Sequence, residues 1–457
     1  MPECFTVMSD EIDGRIDPFY YRPYFKEQIK HLSKTKFTIA KLKDICTKIT
    51  DGTHFTPRYV KEGVPFISVK DVRENKISFD NIKYISKDEH KKLIKRCKPE
   101  SGDILLTKVG TVGIATVIPQ NAPEFSIFVS VALLKIDKTK ANPYYVSTYL
   151  NSKYTKVQIE RVLKGIGVPD FHLENIAEIK IPLPPLSIQN KIVQLMDNAY
   201  QIKKQKETKA QQLLDSINVY VLFELGIKLP ELKDQMTFVV YADDVKGKRI
   251  DAYYYQPKFE EVEKAIEEGK FEVKSLKEIT KLLINGLDFR EFVDEGVMYL
   301  RVSNIRPNRF NLSDVVFIPN MNISKDIKLK EGDILLTRKG TYGVATVVNK
   351  ESGEYLISSE IFRIVVKEGL NPFYLSAWLN SNIQQIVFDR IKTGGIMGHL
   401  SQKALLQIKI PLPPLAVQNK IAEEVKRRMQ KAEQLQKEAK EELEKAKQEV
   451  EKMILEV

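Results

Sequence analysis

The hydrophobic and polar positions along this chain fall into a pattern that is written twice. Apolar alternation bounded by glycine and charge marks short strands at GVPFISV (from Gly63) and GDILLT (from Gly102). NPYYVSTYLNS then reads as a helix, with Asn142 as its N-cap and Pro143 in its first turn. A glycine-bearing loop, KGIGVPDFH, leads to a last strand that runs into PLPPL, where the prolines end the domain. The same order returns in the second half. GDILLTKVGTVGIATV at Gly102 pairs with GDILLTRKGTYGVATV at Gly332, and NPYYVSTYLNS with NPFYLSAWLNS at Asn371. IKIPLPPLSIQNKI at Ile179 and IKIPLPPLAVQNKI at Ile408 are identical at 12 of 14 positions. FTVMSDEIDG (Phe5) with FVVYADDVKG (Phe238), RIDPFYYRP (Arg15) with RIDAYYYQP (Arg249), and LKDI (Leu42) with LKEI (Leu276) complete six collinear matches. Chance does not produce such a series, so the chain is a tandem repeat of one unit.

A long helix is predicted after each PPL. In the second, Val425, Met429, Ala432, Ala439, Leu443, Ala446, Val450 and Met453 keep heptad spacing, interrupted at Gln436. In the first, Ile188, Ile192, Leu195, Ala199 and Ile202 do so, Lys206 and Lys209 break the seam, and Leu213, Ile217 and Tyr220 resume it. Two such seams in one chain predict that the helices pair as an antiparallel coiled coil. At about 1.5 Å per residue, roughly 38 residues make a spacer of about 57 Å. The fold class is therefore α+β. Two pseudo-repeated domains occupy 1–185 and 229–414, with spacer helices at 186–228 and 415–457.

Charge adds a partner class. The chain carries a net charge of +11, yet its last 43 residues, from Leu415, hold ten Lys and Arg against ten Glu. The whole excess lies in the remainder, which suits a polyanion, nucleic acid first among them. The segments between the matched scaffold pieces differ: DGTHFTPRYVKEG (Asp51–Gly63) faces NGLDFREFVDEG (Asn285–Gly296), and VPFISVKDVRENK (Val64–Lys76) faces VMYLRVSNIRPNR (Val297–Arg309). One frame with two sets of loops suits reading two different DNA segments. Candidate base-reading residues are Thr53, His54, Thr56, Arg58 and Lys70 in the first copy, and Arg290, Arg301 and Asn304 in the second, Arg being suited to guanine and Asn to adenine. The glycine turns TKVGTVG and TRKGTYG place Lys108, Gly110 and Thr111, and Arg338, Lys339 and Thr341, where cations and backbone N–H groups could approach a phosphate.

Several chemistries are disfavoured. No GxxxxGK[ST] loop occurs, and five histidines show no metal-ligand spacing. NPYY and NPFY resemble an amino-methyltransferase motif but carry an aromatic residue at the third position and read as helix starts. PDFHLENIAEIK (Pro169–Lys180) fits a loose PD…ExK nuclease pattern, but the second copy has Gly398, His399 and Gln407 in place of Pro169, Asp170 and Glu178. Cys4, Cys46 and Cys97 form no CxxC pair, so neither a disulfide framework nor a structural zinc is expected. The acidic start and the lack of an apolar run of about 18 residues predict a cytoplasmic protein with no membrane segment.

The double GDILL(T)-x-x-GTxG hairpin, the IPLPPLxxQ exit with its long helix, and the DGTHxTP loop at Asp51 resemble the specificity subunits of type I restriction-modification systems, over essentially the whole chain. That resemblance implies two target-recognition domains on the halves of an asymmetric bipartite site in double-stranded DNA. It implies paired helices that act as a ruler and dock two methyltransferase (modification) subunits, and restriction/translocase subunits that join through these. No cofactor is then expected in this chain, and S-adenosylmethionine, ATP and magnesium belong to the partners. A metal-dependent PD…ExK nuclease and a stand-alone bipartite DNA-binding regulator are the alternatives.

Overall fold

A computed structural model of the chain describes residues 4–12, 15–163, 167–246, 249–320, 328–349, 355–394 and 398–455. It divides into two compact units, one made of residues 1–206 with 437–457, the other of 207–436. Each unit thus holds one copy of the repeated domain and a half of each long helix.

In the first unit the frame is a four-stranded antiparallel sheet in the order Cys46–Asp51, Val131–Ile136, Ile104–Thr107, Ala115–Val117. Its inner strands are buried on both faces over Ile104–Leu106 and Val131–Leu134, as their apolar runs require. A second sheet orders Ser126–Ile127, Val64–Ile67, Lys83–Ile85 and Tyr59–Val60, the first pair parallel. The exit strand Lys180–Leu183 pairs antiparallel with Thr38–Lys41, closing the domain beside its own beginning. The second unit repeats this: Thr280–Asn285, Ile361–Val366, Ile334–Thr337 and Ala345–Val347 form the frame, and Lys409–Pro411 closes on Val273–Ser275.

The helix Pro143–Leu150 starts as its sequence predicts, with the Asn142 side chain accepting from Tyr144 N. Tyr145 and Tyr149 are fully buried against the frame, their hydroxyls donating to the carbonyls of Pro182 (2.6 Å) and Lys180 (3.0 Å). Asn371 and Tyr374 repeat the arrangement on Pro372–Leu379. The near-identical exit segments are explained by one residue. Gln189, buried where the first long helix begins, accepts from Asn142 N and donates to Pro184 O, both at 2.8 Å, and Gln418 does the same with Asn371 N and Pro413 O. Asn142 Nδ2 also donates to Asn190 Oδ1 at 2.8 Å, and Asn371 Nδ2 to Asn419 Oδ1 at 2.8 Å. This clasp fixes the angle between each domain and its helix. Gln418→Leu strands two buried backbone groups at about 1–3 kcal/mol each. Thermal unfolding should therefore show a loss of about 3 kcal/mol, and an unchanged transition would show that the clasp does not hold the helix.

The long helices run Leu186–Leu225 and Leu415–Leu455. In the first unit Ile192, Met196 and Ala199 share a core with Leu443, Ala446, Val450 and Ile454. In the second, Val221, Leu222 and Leu225 pack with Ile421 and Val425, and Ala210 with Ala432 and Leu435. The helices run antiparallel in both places, with Lys206–Glu438 (2.6 Å) and Lys420–Glu224 (2.8 Å) as cross-helix ion pairs. One predicted seam residue is displaced. Ile202 faces outward and half-buried Lys203 takes its slot, because the spacing 192, 196, 199, 203, 206, 210 carries the seam one residue past it.

Candidate nucleic-acid interface

Strand directions decide where the variable loops gather. Asp51 and Thr107 end strands that both run antiparallel to Val131–Ile136, so the loop after Asp51, the turn after Thr107 and the segment before Val131 leave from one edge of the frame. Asn285, Thr337 and Ile361 mark the same edge in the second unit.

The first loop is anchored by backbone. Thr53 N donates to Ile127 O (3.0 Å) and Val129 N to Thr53 O (2.9 Å), laying the loop flush against the neighbouring segment. Gly52 makes this possible, since a Cβ there would sit 2.0 Å from Ile127 O, and one at Gly286 would sit 2.0 Å from Ile357 O. Thr53 itself is buried and serves as a peg: its Oγ1 accepts from Phe55 N at 3.2 Å. His54, Thr56 and Arg58 are exposed on this loop, and Lys70 is exposed on a turn tied by Val69 N to Ser130 Oγ (3.2 Å) at the same edge.

Beneath the loop lies a charge cluster that the sequence did not announce. Asp51, 3% exposed, accepts from Arg96 Nη2 at 2.5 Å, while Arg96 Nη1 donates to Gly52 O at 3.1 Å. His54 Nε2 is 3.4 Å from Asp51 Oδ1. Lys108 Nζ stands 3.8 Å from Asp51 and 3.3 Å from Asp170. The position of Lys108 corrects the expectation for the glycine turn. The lysine is 4% exposed and neutralises carboxylates from within, and the Gly110 N–H is taken by Pro169 O at 2.9 Å. The turn keeps exposed Gly110 and Thr111 at its tip.

In the second unit Arg338 is half-buried across the Phe362 ring and donates to Leu400 O and Ser359 O at 3.4 Å, whereas Lys339 and Thr341 are exposed, the former 3.7 Å from Glu360. Arg290 is exposed beside Asp288. Arg301 is held by Asp314, donating to its carbonyl at 2.7 Å. Asn304 is also corrected. It is fully buried and its amide is consumed within the fold, accepting from Arg301 N (2.8 Å) and donating to Asn311 O (2.9 Å) and Asp314 Oδ1 (3.1 Å). It caps a turn, as buried Asp71 does in the first unit, and has no group left for adenine. Arg96, missed in the sequence, lies 45 residues from its partner Asp51, and no local pattern marks it.

The PD…ExK letters do not converge. Asp170 faces Lys108 and His172, whereas Glu178 is claimed by Lys41 (2.6 Å) and Lys43 (2.5 Å), whose hydrogen bonds hold its carboxyl down at about 2. No group of three or more His, Cys, Asp or Glu among the described residues is arranged to hold a metal. Cys4, Cys46 and Cys97 are unpaired, and burial pushes the Cys46 and Cys97 thiols up to about 12 and about 11.

The family profile of the type I restriction modification DNA specificity domain matches this chain twice, over residues 34–215 and 268–445. The chain belongs to this family. It is a DNA specificity subunit of a type I restriction-modification complex, the recognition subunit and not a catalytic one. Among similar proteins is the type I restriction enzyme MjaVIII specificity subunit of Methanocaldococcus jannaschii, 23% identical over 389 residues, which cover 81% of this chain and 83% of that one. The EcoKI specificity subunit of Escherichia coli is 24% identical over 154 residues, 31% of this chain and 33% of that one. A solved structure described as "Structural basis underlying complex assembly and conformational transition of the type I R-M system" shares the fold, with a TM-score of 0.53 and 15% identity over 92% of this specificity subunit and 97% of that chain. Cofactors in such systems belong to partner subunits, and no helix among the described residues is long and apolar enough to cross a membrane.

Proposed function

We propose that this specificity subunit reads an asymmetric, bipartite site in double-stranded DNA, each unit taking one half. The observation that carries this reading is a frame repeated strand for strand, with different loops on its common edge. His54, Thr56, Arg58 and Lys70 present one chemistry and Arg290, Lys339 and Thr341 another. The paired helices set the gap between the halves and dock two methyltransferase subunits, through which restriction/translocase subunits join in the cytoplasm. S-adenosylmethionine, ATP and magnesium act in those partners.

Phosphate contacts from several exposed Lys and Arg release counterions, so log K should fall linearly with log salt, at about 0.9 per phosphate neutralised. Titration across 50–200 mM salt, about a fourfold range, should weaken binding on the order of a thousandfold for six or more contacts. A flat response contradicts the reading. Because Lys108 points inward, its removal should lower stability and leave that slope unchanged. Co-purification of a methyltransferase with the chain separates a specificity subunit from a stand-alone regulator.

A further inference from the structure

The two recognition loops carry a phenylalanine at the same place and treat it oppositely. DGTHF and NGLDF align Phe55 with Phe289. Phe289 lies edge-on against Tyr299, centroids 5.7 Å apart, in a small core with Ile318 and Leu356. The Tyr299 hydroxyl ties that loop down by donating to Leu287 O at 2.7 Å. The residue at the Tyr299 position of the first unit is Phe66, which has no hydroxyl and whose ring faces Tyr59 and Phe128 instead. Phe55 is left 81% exposed. Its backbone is not loose, since Thr53 Oγ1 holds Phe55 N and Thr53 is itself pegged to Ile127 and Val129. A rigid loop therefore holds a bare phenyl ring in water between exposed His54 and Thr56, with Arg58 two positions beyond.

An apolar ring fixed on a protein surface among hydrogen-bonding and cationic side chains matches what a base stack offers: two apolar faces between rows of phosphates. Proteins that insert such rings between base pairs unstack the step and kink the duplex. We infer that Phe55 is a wedge that enters the base stack within or beside the half-site read by the first unit. In the recognition loop of the second unit Phe289 is packed inward and half-exposed Phe292 lies against Tyr299, centroids 6.1 Å apart, so neither ring is presented as Phe55 is. The inference rests on the DNA-reading function proposed above. It gives the first unit a specificity term that no hydrogen bond supplies, since flexible pyrimidine–purine steps open at lower cost than stiff ones.

The test uses the full chain and duplexes that carry the bipartite site, taken from methylome sequencing, with 2-aminopurine at each position in turn except the methylated adenines. A several-fold rise in fluorescence is expected at one step in or beside the first half-site and at none in the second. Phe55→Ala should abolish the rise and weaken specific binding about tenfold, within the range of one lost base–aromatic stack, at an unchanged salt slope. Phe55→Trp should restore both. The exposed ring leaves no cavity behind, so an unchanged thermal transition verifies that the variants fold. Specific binding by the unaltered chain without a rise at any position, or a rise that survives Phe55→Ala, overturns the wedge while leaving DNA reading intact. Absence of DNA binding by the unaltered chain overturns both.

Discussion

Gly52→Ala should cripple recognition by the first unit and leave the second intact. The new Cβ would meet Ile127 O at 2.0 Å, Ile127 C at 2.3 Å and Phe128 C at 2.5 Å. All three are backbone atoms of a segment hydrogen-bonded on both sides, so no side-chain rotation relieves the clash. Either the loop lifts, losing Thr53 N to Ile127 O and Val129 N to Thr53 O, or Ser126–Ile127 is pushed off Val64–Ile67. Overpacking costs about 1–3 kcal/mol and each hydrogen bond about 1 more. The sum, about 3–5 kcal/mol, corresponds to a fall of roughly 6–20 °C for a unit of this size. Displacing His54, Thr56 and Arg58 together should weaken specific binding about a hundredfold, the worth of two base contacts. Gly286→Ala should do the same to the second unit. Gly110→Ala is the control: a Cβ there meets nothing within 4 Å, and only its φ of +77° opposes it, at about 1–2 kcal/mol. Calorimetry with binding titrations checks all three. Equal effects at Gly52 and Gly110 would show that close approach is not the reason for the glycine.

Arg363→Met is expected to be the most damaging single change in the second frame. Arg363 Nε meets Asp333 Oδ2 at 2.7 Å with both side chains about 95% buried, and the same oxygen accepts from Lys330 N at 2.6 Å. Breaking a buried pair from one side leaves an uncompensated charge, at about 3–5 kcal/mol. Arg363 lies on the strand that pairs with Thr280–Asn285, so the loss reaches the recognition loop. The first unit holds Lys135 against Asp103 at 2.6 Å, but more openly and with Glu100 as a second partner. Lys135→Met should therefore cost less than half as much. Converting Asp333 to Leu as well should recover much of the loss in the Arg363→Met background, because the stranded charge is gone. Denaturant unfolding of the single and double variants measures this. A double variant no more stable than the single would show that packing, not charge, is what Arg363 supplies.

The repeat, both N-capped helices and the long paired helices were legible because each rests on local periodicity or on a residue with one conformational use, whereas the strand order of the two frames depends on pairings distant in sequence. Pro143 after Asn142 can start a helix and do little else. What was hidden depends on partners distant in sequence. Lys108 reads as a phosphate ligand until Asp170, 62 residues on, turns it inward. Asn304 reads as an adenine donor until Asn311 and Asp314 consume its amide. Phe55 and Phe289 have the same letter in the same motif, and one hydroxyl, present on Tyr299 and absent from Phe66, separates their fates. Ile202 fell outside the seam because half-buried Lys203, a residue that the hydrophobic pattern passes over, took its place.

Each unit is proposed to read its own half-site from the loops on one edge of a shared frame. Replacing Asp51–Lys76 with Asn285–Arg309, in the chain expressed with its methyltransferase partners, followed by methylome sequencing, tests this most directly. Methylation is expected at a new site in which one half has changed, toward the half read by the second unit, while the other half and the gap are preserved. Methylation at the original site, or a change in both halves by a folded and active complex, would contradict it.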